Sequence, residues 1–375
     1  MAAFSPEEQA RYARHWVLPG WGEEKQAQLR RTSVLVVGAG GLGAPLLTYL
    51  AAAGLGRLGI IDPDRVSLSN LQRQVLYGQD DLGRLKVEAA RDRLKSINPH
   101  VQIDIFPQAL TAANALSILA DYDIIADGTD NFPTRYLVND ACVLLGKINV
   151  YAAIFRFEGQ LSVFNFPDSD GSRGPNYRDL YPQPPAPGTT LSCAEGGVLG
   201  VLPGIIGSLQ ATEVIKVATR LGQPLAGRLF YFDALSFSSY SIRFQSRPGT
   251  RVEELTDYEA FCGTTAREDI PAIDAVSLRQ HLLHQNNIQL IDIRTAQEHA
   301  QINIGGILIP LPQLPDYLQQ LDASKFTVVY CQTGRRSEMA VRQLLTAGFE
   351  DVYQLEGGIQ AWLASSHLPD IPSGS

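Results

Sequence analysis

The chain has 375 residues, enough for two domains that each bury a core. Its apolar fraction of 45% is that of an ordinary globular protein, and a net charge of -8 argues against a nucleic-acid partner, whose usual footprint is a basic surface. No run of about 18 uncharged apolar residues occurs and the first residues lack the basic and apolar regions of a secretory signal, so no membrane partner is expected and a cytoplasmic location is the default. Cys142, Cys193, Cys262 and Cys331 are scattered with no C-x-x-C pair, the usage of a reducing compartment in which single thiols can react.

From Ser5 to Arg31 the pattern is helical, with Ser5 as N-cap, Pro6 at the first helical position and Glu8 three residues after the cap. Arg11 and Arg14 in this stretch read as a solvated basic face. Val34 to Val37 is a buried strand running into Gly38, Gly40, Gly41 and Gly43, and the small-residue helix that follows ends at Gly54. The spacing Gly38, Gly40, Gly43 is a G-x-G-x-x-G: glycines let the backbone approach phosphate oxygens, and a helix N-terminus favours the anion. The next strand ends in Asp62, whose carboxylate can take ribose hydroxyls; glycines that merely make a tight turn are the plainer alternative.

A nicotinamide-dependent dehydrogenase and an ATP-using enzyme are both open at this point. A dehydrogenase has no evident need for SNLQRQ just after its second strand. Acyl activation by ATP needs cations, because negative charge moves onto the leaving pyrophosphate, and Arg73 and Lys86 can supply them. Ser69 and Asn70 can bond ribose or phosphate oxygens. Further on, a strand ends in Asp127, Gly128, Thr129, Asp130 and Asn131. Asp130 would lie beyond the carboxyl end of that strand, where a carboxylate suits a Mg²⁺ ion bridging phosphates; the alternative is an N-cap for the next helix.

The ordered motifs GAGGLG, GIIDPDRVSLSNLQRQ, GRLK, DGTDN, RFEGQLSVF and LSCAEGGVLGVLPGIIGSLQATEVIK, from Arg11 to about Phe244, resemble the ubiquitin-activating-type adenylyltransferases of molybdopterin and thiamine biosynthesis. The resemblance implies a homodimer that uses ATP and Mg²⁺ to adenylate the C-terminal Gly-Gly carboxylate of a small ubiquitin-like sulfur carrier protein. It implies a nucleotide site of Gly41, Asp62, Ser69, Asn70, Arg73, Lys86, Asp130 and Asn131, with Arg14 reaching into the partner subunit's site. It also implies that the Pro-, Gly- and Ser-rich stretch of about 167–197 is a crossover loop covering the carrier's tail. Cys193 in that loop matches a cysteine of acyl or sulfur handling, against the alternative of a buried small hydrophobe. One departure is that the C-x-x-C pairs which hold a structural zinc in many relatives read Asn176 to Asp179 and Thr250 to Glu253 here, so no zinc site is expected.

Pro203 to Leu221 reads as a long amphipathic helix stopped at Gly222, and two strands close a first domain over 1–246. Residues 247–273 are polar and turn-rich, an expected linker in which Cys262 is incidental. From 274 to 375, strands alternating with helices imply a small parallel α/β domain. Cys331 comes directly off a buried strand, and the loop Cys331, Gln332, Thr333, Gly334, Arg335, Arg336 leads into a helix. Backbone amides, the helix N-terminus and two arginines there stabilise a thiolate or persulfide anion. With LIDIR upstream and LEGGIQAW downstream, this resembles a rhodanese domain whose Cys331 carries sulfane sulfur, although QINIGG replaces the customary G-H-I-P-G-A.

The expected whole is an α/β protein: a Rossmann-like adenylation domain with a mainly parallel sheet, then a small α/β rhodanese domain. The expected function is adenylation of the carrier followed by attack of a Cys331 persulfide, loaded by a donor such as a cysteine desulfurase, to form a thiocarboxylate, with Cys193 or another reductant resolving the acyl disulfide. The alternatives are adenylation alone beside an auxiliary rhodanese domain, a nicotinamide-dependent oxidoreductase and a non-catalytic scaffold. Molybdopterin, thiamine, tRNA thiolation, cysteine and siderophore routes all fit this chemistry.

Overall fold

The computed structural model describes residues 3–168, 170–185, 196–247, 249, 251–263, 270–284 and 287–365, and it divides into two compact units at 265/266. Cys193 and Thr250 lie outside the described residues, as does the side chain of Arg335.

In the first unit the Ser5 hydroxyl accepts from the Glu8 amide at 3.2 Å and the Glu8 carboxylate accepts from the Ser5 amide at 2.8 Å, the capping box that starts α1 (Pro6–Trp16). The helix does not continue to Arg31. Gly20 and Gly22 take φ of 76° and 57°, and a second helix, α2 (Gly22–Arg31), begins after them. Strands β1 (Ser33–Val37), β2 (Arg57–Ile61), β3 (Gln102–Phe106), β4 (Ile124–Asp127) and β5 (Ile148–Phe155) pair in parallel in the order β3-β2-β1-β4-β5. Antiparallel β6 (Glu158–Phe164), β7 (Arg228–Asp233) and β8 (Ser238–Arg243) extend the sheet to eight strands.

The parallel strands read as near-continuous apolar runs because helices cover both faces. α3 (Gly43–Ala53), α4 (Lys86–Ile97) and the helix Leu202–Thr219 bury Leu46, Leu50, Val87 and Val214 on one side. On the other, α5 (Ala115–Ala120), α6 (Phe132–Leu145) and α7 (Tyr177–Leu180) bury Leu119, Val138 and Tyr177. The strand order reverses between β1 and β4, which opens a crevice beyond their carboxyl ends. The helix Leu202–Thr219 stops at Arg220, itself left-handed at φ 53°, two residues before the glycine expected to end it.

The excursion after β6 has structure at its start. Arg178 donates to both oxygens of Asp140 at 2.8 and 2.7 Å, and the Tyr258 hydroxyl donates to the same carboxylate at 2.8 Å. Asp179 accepts from the backbone amides of Asn176 and Arg247, each at 2.7 Å. These bonds tie α7 to α6 and to the segment after β8. Tyr258 and Cys262, in the stretch read as a linker, are therefore buried in the core of the first unit.

The second unit is a five-stranded parallel sheet in the order β11-β10-β12-β13-β9. Its strands are β9 (Ala272–Ile273), β10 (Ile288–Asp292), β11 (Ile307–Leu308), β12 (Phe326–Tyr330) and β13 (Val352–Leu355). The edge strands β9 and β11 have two residues each, too few to carry a period of two. Ile291, Val329, Val341 and Leu344 pack one face, and Leu278, Val328, Ile359 and Trp362 the other.

Candidate active sites

The first site lies in the crevice, a cleft of about 360 Å³ lined by Gly38, Gly40, Gly41, Asp62, Arg73, Lys86, Asp130 and Asn131 among others. Two glycines are required by close approach. A Cβ on Gly43 would fall 2.1 Å from the Gly38 carbonyl oxygen, so this glycine lets α3 meet the end of β1, and Gly38 itself sits at φ 92°. α3 has no side-chain N-cap, but Ala44 donates its amide to the Gly40 carbonyl at 2.9 Å and Pro45 has no amide hydrogen, so this helix end offers an anion its dipole more than a row of open amides. Asp62 is buried and already engaged: its oxygens accept from the amides of Ala39 and Asp64, each at 2.8 Å. Burial pushes this carboxyl up, opposed chiefly by the Lys86 charge.

Lys86 is 5% exposed, lines the cleft and donates to the exposed carboxylate of Asp64 at 2.8 Å. Arg73 donates to the Ser69 carbonyl at 3.0 Å and presents its stem to the cleft. Asp130 is exposed at the cleft edge and is not the helix cap; Asn131 is, accepting from the Thr134 amide at 2.9 Å. Asn131 thus has a local role that competes with ligand binding. Ser69 and Asn70 sit on the turn Leu68–Asn70, where Asn70 bonds the Ser67 amide at 3.3 Å, and neither lines the cleft of the single chain. Arg14 is exposed on α1 and is likewise absent from that lining.

Three residues were given no role from the sequence. Tyr77 donates to the Ala39 carbonyl at 2.7 Å and braces the glycine loop from outside. Gln74 is 4% exposed, lines the cleft, and its Oε1 has no partner among the described residues. Asp127 accepts from the Thr129 amide and hydroxyl at 3.0 and 2.6 Å while its other oxygen is buried and unpartnered among the described residues; burial pushes its carboxyl up. Adjacency of Gln74 to Arg73 was the available signal; nothing local marks Tyr77.

The second site is the loop between β12 and the helix Arg335–Thr346. Cys331 is 1% exposed, and its sulfur accepts from the Gly334 amide at 3.2 Å and lies 3.6 Å from the Ser337 hydroxyl. Gly334 takes φ 99°, which turns the loop around the sulfur. The Ile359 amide donates to the Cys331 carbonyl at 2.8 Å. Gln332 is held by Arg294, which also makes two-pronged bonds to Asp292, and His299 bonds the same carboxylate at 2.8 Å. Thr333 is exposed, and Arg336 donates through both terminal nitrogens to Glu298 at 2.9 and 2.6 Å. The QINIGG turn places Gly305 and Gly306 at positive φ and bonds the Tyr330 hydroxyl through the Gly305 carbonyl at 2.9 Å. Burial pushes the other described thiols up, Cys142 well above the usual range and Cys262 to about 11.

The residues at the zinc-ligand positions do not fit a zinc ion. Asn176 and Asp179 are occupied in hydrogen bonds of α7, and among the described residues no group of three His, Cys, Asp or Glu side chains is placed to hold a metal ion.

Together the two sites define an enzyme that activates a group with a nucleotide and handles sulfur on a strand-to-helix loop. The ThiF family model matches residues 12–252 and the model of the rhodanese-like domain matches 274–365, and the chain belongs to the ThiF family. It is similar to the probable adenylyltransferase/sulfurtransferase MoeZ of Mycobacterium tuberculosis, 47% identical over 379 residues that cover 99% of this chain and 96% of the relative. It is also similar to the sulfur carrier protein adenylyltransferase of Thermus thermophilus, 52% identical over 267 residues, 69% of this chain and 98% of that one. Among solved structures, E. coli MccB shares the fold at a TM-score of 0.58 and 20% identity, covering 68% of this chain and 74% of that one. The chain is an adenylyltransferase and sulfurtransferase, which sets aside the oxidoreductase and scaffold alternatives.

Proposed function

We propose that the first unit adenylates the C-terminal Gly-Gly carboxylate of a small ubiquitin-like sulfur carrier, and that Cys331 then delivers sulfur to it as a persulfide. The observation that carries this reading is the convergence of the α3 N-terminus, Lys86, Arg73 and Asp130 on one cleft. The carrier carboxylate attacks the α-phosphate of ATP, pyrophosphate leaves, and Arg73, Lys86 and the positive end of α3 stabilise the charge that moves onto it. A lone exposed carboxylate such as Asp130 suits Mg²⁺ shared with phosphates rather than an all-protein cage. Mg²⁺ would neutralise phosphate charge there, with Gly41, Asp62, Ser69, Asn70 and Asn131 completing the nucleotide site. Arg14 is assigned to the neighbouring site of a homodimer, consistent with its exposure and its distance from the lining of its own cleft.

The Cys331 persulfide anion attacks the acyl carbonyl and AMP leaves, a far better leaving group than carboxylate oxygen. The resulting acyl disulfide is cleaved when a second thiolate, Cys193 or an external reductant, attacks the Cys331 sulfur and releases the carrier thiocarboxylate. A cysteine desulfurase or equivalent persulfide donor recharges Cys331 after reduction. Exposed Phe155, Phe157, Leu235 and Phe237 on the adjoining β5–β6 and β7–β8 turns form an apolar patch beside the cleft residues Ile154 and Val198, and we assign it to the body of the carrier. No structural zinc is proposed, its anchoring role falling to Arg178, Asp140 and Asp179. No described helix is long and apolar enough to cross a membrane, and the free thiols accord with a cytoplasmic location.

The test is carrier-dependent exchange of pyrophosphate into ATP, and mass spectrometry of the carrier after a persulfide donor is added. Exchange and a thiocarboxylate are expected with the intact chain, and exchange without thiocarboxylate for Cys331→Ala. Full thiocarboxylate formation by Cys331→Ala would show that adenylation stands and the second unit is auxiliary.

A further inference from the structure

The elements that surround the Cys331 loop carry charged residues. Arg336 and Glu338 come from the helix that follows it, with Arg335 in its sequence; Glu298 and His299 come from the helix Ala296–Gln301, Asp292 and Arg294 from the end of β10, and Glu356 from the turn after β13. Arg294 and His299 are both engaged with Asp292, and Arg294 meets the active loop only at the Gln332 side chain, 3.3 Å away. Arg336 stands beside the Cys331 thiol itself. Both of its terminal nitrogens nevertheless donate to Glu298.

Glu298 is held independently of Arg336. Its Oε2 accepts from the Thr295 amide and hydroxyl, each at 2.9 Å, in the capping box that starts the helix Ala296–Gln301. The carboxylate is thus fixed by its own backbone at the place where it meets the loop cation. The Arg336 hydrogen bonds hold this carboxyl down at about 2, so it is charged throughout the range in which thiols react.

We propose that Glu298 is a specificity-determining residue of the sulfur-transfer loop: by neutralising Arg336 it disfavours small anionic sulfur donors and leaves Cys331 to sulfur delivered as a protein persulfide. The proposal rests on the reading of Cys331 as the sulfur-carrying thiol. Thiosulfate is the inorganic case. The Cys331 thiolate attacks its outer sulfur, the thiosulfate S–S bond breaks, sulfite leaves with the electron pair, and the new Sγ–S bond makes a persulfide anion. Total charge is the same on both sides and no oxidant is required. Three negative charges must nonetheless come together in the encounter, and a cation already paired to a fixed carboxylate does little to offset them.

Glu298→Gln tests this in the full chain, because glutamine keeps the capping box and the side-chain shape while removing the charge. Iodoacetate and iodoacetamide are nearly the same size and differ by one negative charge. The ratio of their rates at Cys331, read by mass spectrometry of the peptide that contains it, reports local charge and cancels the thiolate fraction. Glu298→Gln is expected to raise that ratio by about tenfold at low salt, less at high salt, and to raise thiosulfate loading of Cys331 to a similar extent. Glu298→Asp should stay near the parent, Arg336→Gln should lower the ratio, and the double variant Glu298→Gln/Arg336→Gln should return towards the parent. A ratio unchanged within about twofold, equal slowing of both reagents, or thiosulfate loading that does not rise with the ratio overturns the proposal. Failure of Cys331 to pass sulfur to the adenylated carrier, with the ratio moving as expected, would instead count against the sulfur-transfer reading.

Discussion

Lys86 illustrates how a buried cation is placed: it is 5% exposed, and Asp64 accepts from its ammonium at 2.8 Å on the cleft wall. Lys86→Ala should lower carrier-dependent pyrophosphate exchange by about a hundredfold or more, the usual cost of losing one donor to a developing anion. Glu298 supplies a pH test of stability at the same scale. Its folded-state carboxyl is held at about 2, below its ordinary 4.5, mainly by Arg336, so it contributes stability above about 4.5 that is lost as pH falls towards 2. Urea midpoints of the second unit should therefore fall between pH 5 and 3 by more in the parent than in Glu298→Gln. Equal slopes in the two proteins would show that the pair adds nothing measurable to folding.

Among elements, α3 makes a close contact with the turn that ends β1. Gly43→Ala places a methyl 2.1 Å from the Gly38 carbonyl, and the helix must move away from the strand that positions the phosphate loop. ATP binding should be lost by calorimetry, and the first unit should unfold at lower denaturant. The α7 clamp is the other element-scale device. Asp140 is 1% exposed and accepts from both Arg178 and Tyr258, so Asp140→Asn leaves a half-buried guanidinium without its counter-charge. We expect a loss of about 3 kcal/mol in the unfolding free energy of the first unit. Because α7 begins the excursion proposed to cover the carrier's tail, KM for the carrier should rise more than KM for ATP.

For the whole molecule, two activities on one chain make a clean separation possible. A chain ending at residue 265 retains every described residue of the cleft and should keep carrier-dependent exchange while losing thiocarboxylate formation. Arg14 is tested by mixing. If it serves the partner subunit, refolding Arg14→Ala with Lys86→Ala should restore exchange to about a quarter of the parent value, since half of random dimers pair the two variants and each of those has one intact site. No recovery above the separate variants would overturn the assignment of Arg14 to the partner subunit's site.

Much was legible in the residues themselves. The glycines after β1, Asp62, Arg73, Lys86 and Asp130, which the fold brings to one cleft, stand in contiguous or closely spaced motifs, and Cys331 follows an apolar strand, because a strand-to-helix loop is built from a short run of backbone. The capping box of Ser5 and Glu8 and the αL stop at Gly54 are local for the same reason. The break at Gly20 and Gly22, the two-residue strands β9 and β11, and the burial of Tyr258 left no readable period, since each exists only through packing against distant elements. Tyr77 bracing Ala39, Asp179 bridging Asn176 to Arg247, and Glu298 paired with Arg336 join residues 3 to 68 positions apart. The sequence by itself determined which chemistry is present, because chemistry resides in side-chain types at local spacings. Only the tertiary structure decided which charges are engaged and which remain for substrate, because a charge is neutralised by whatever the fold brings within hydrogen-bonding distance.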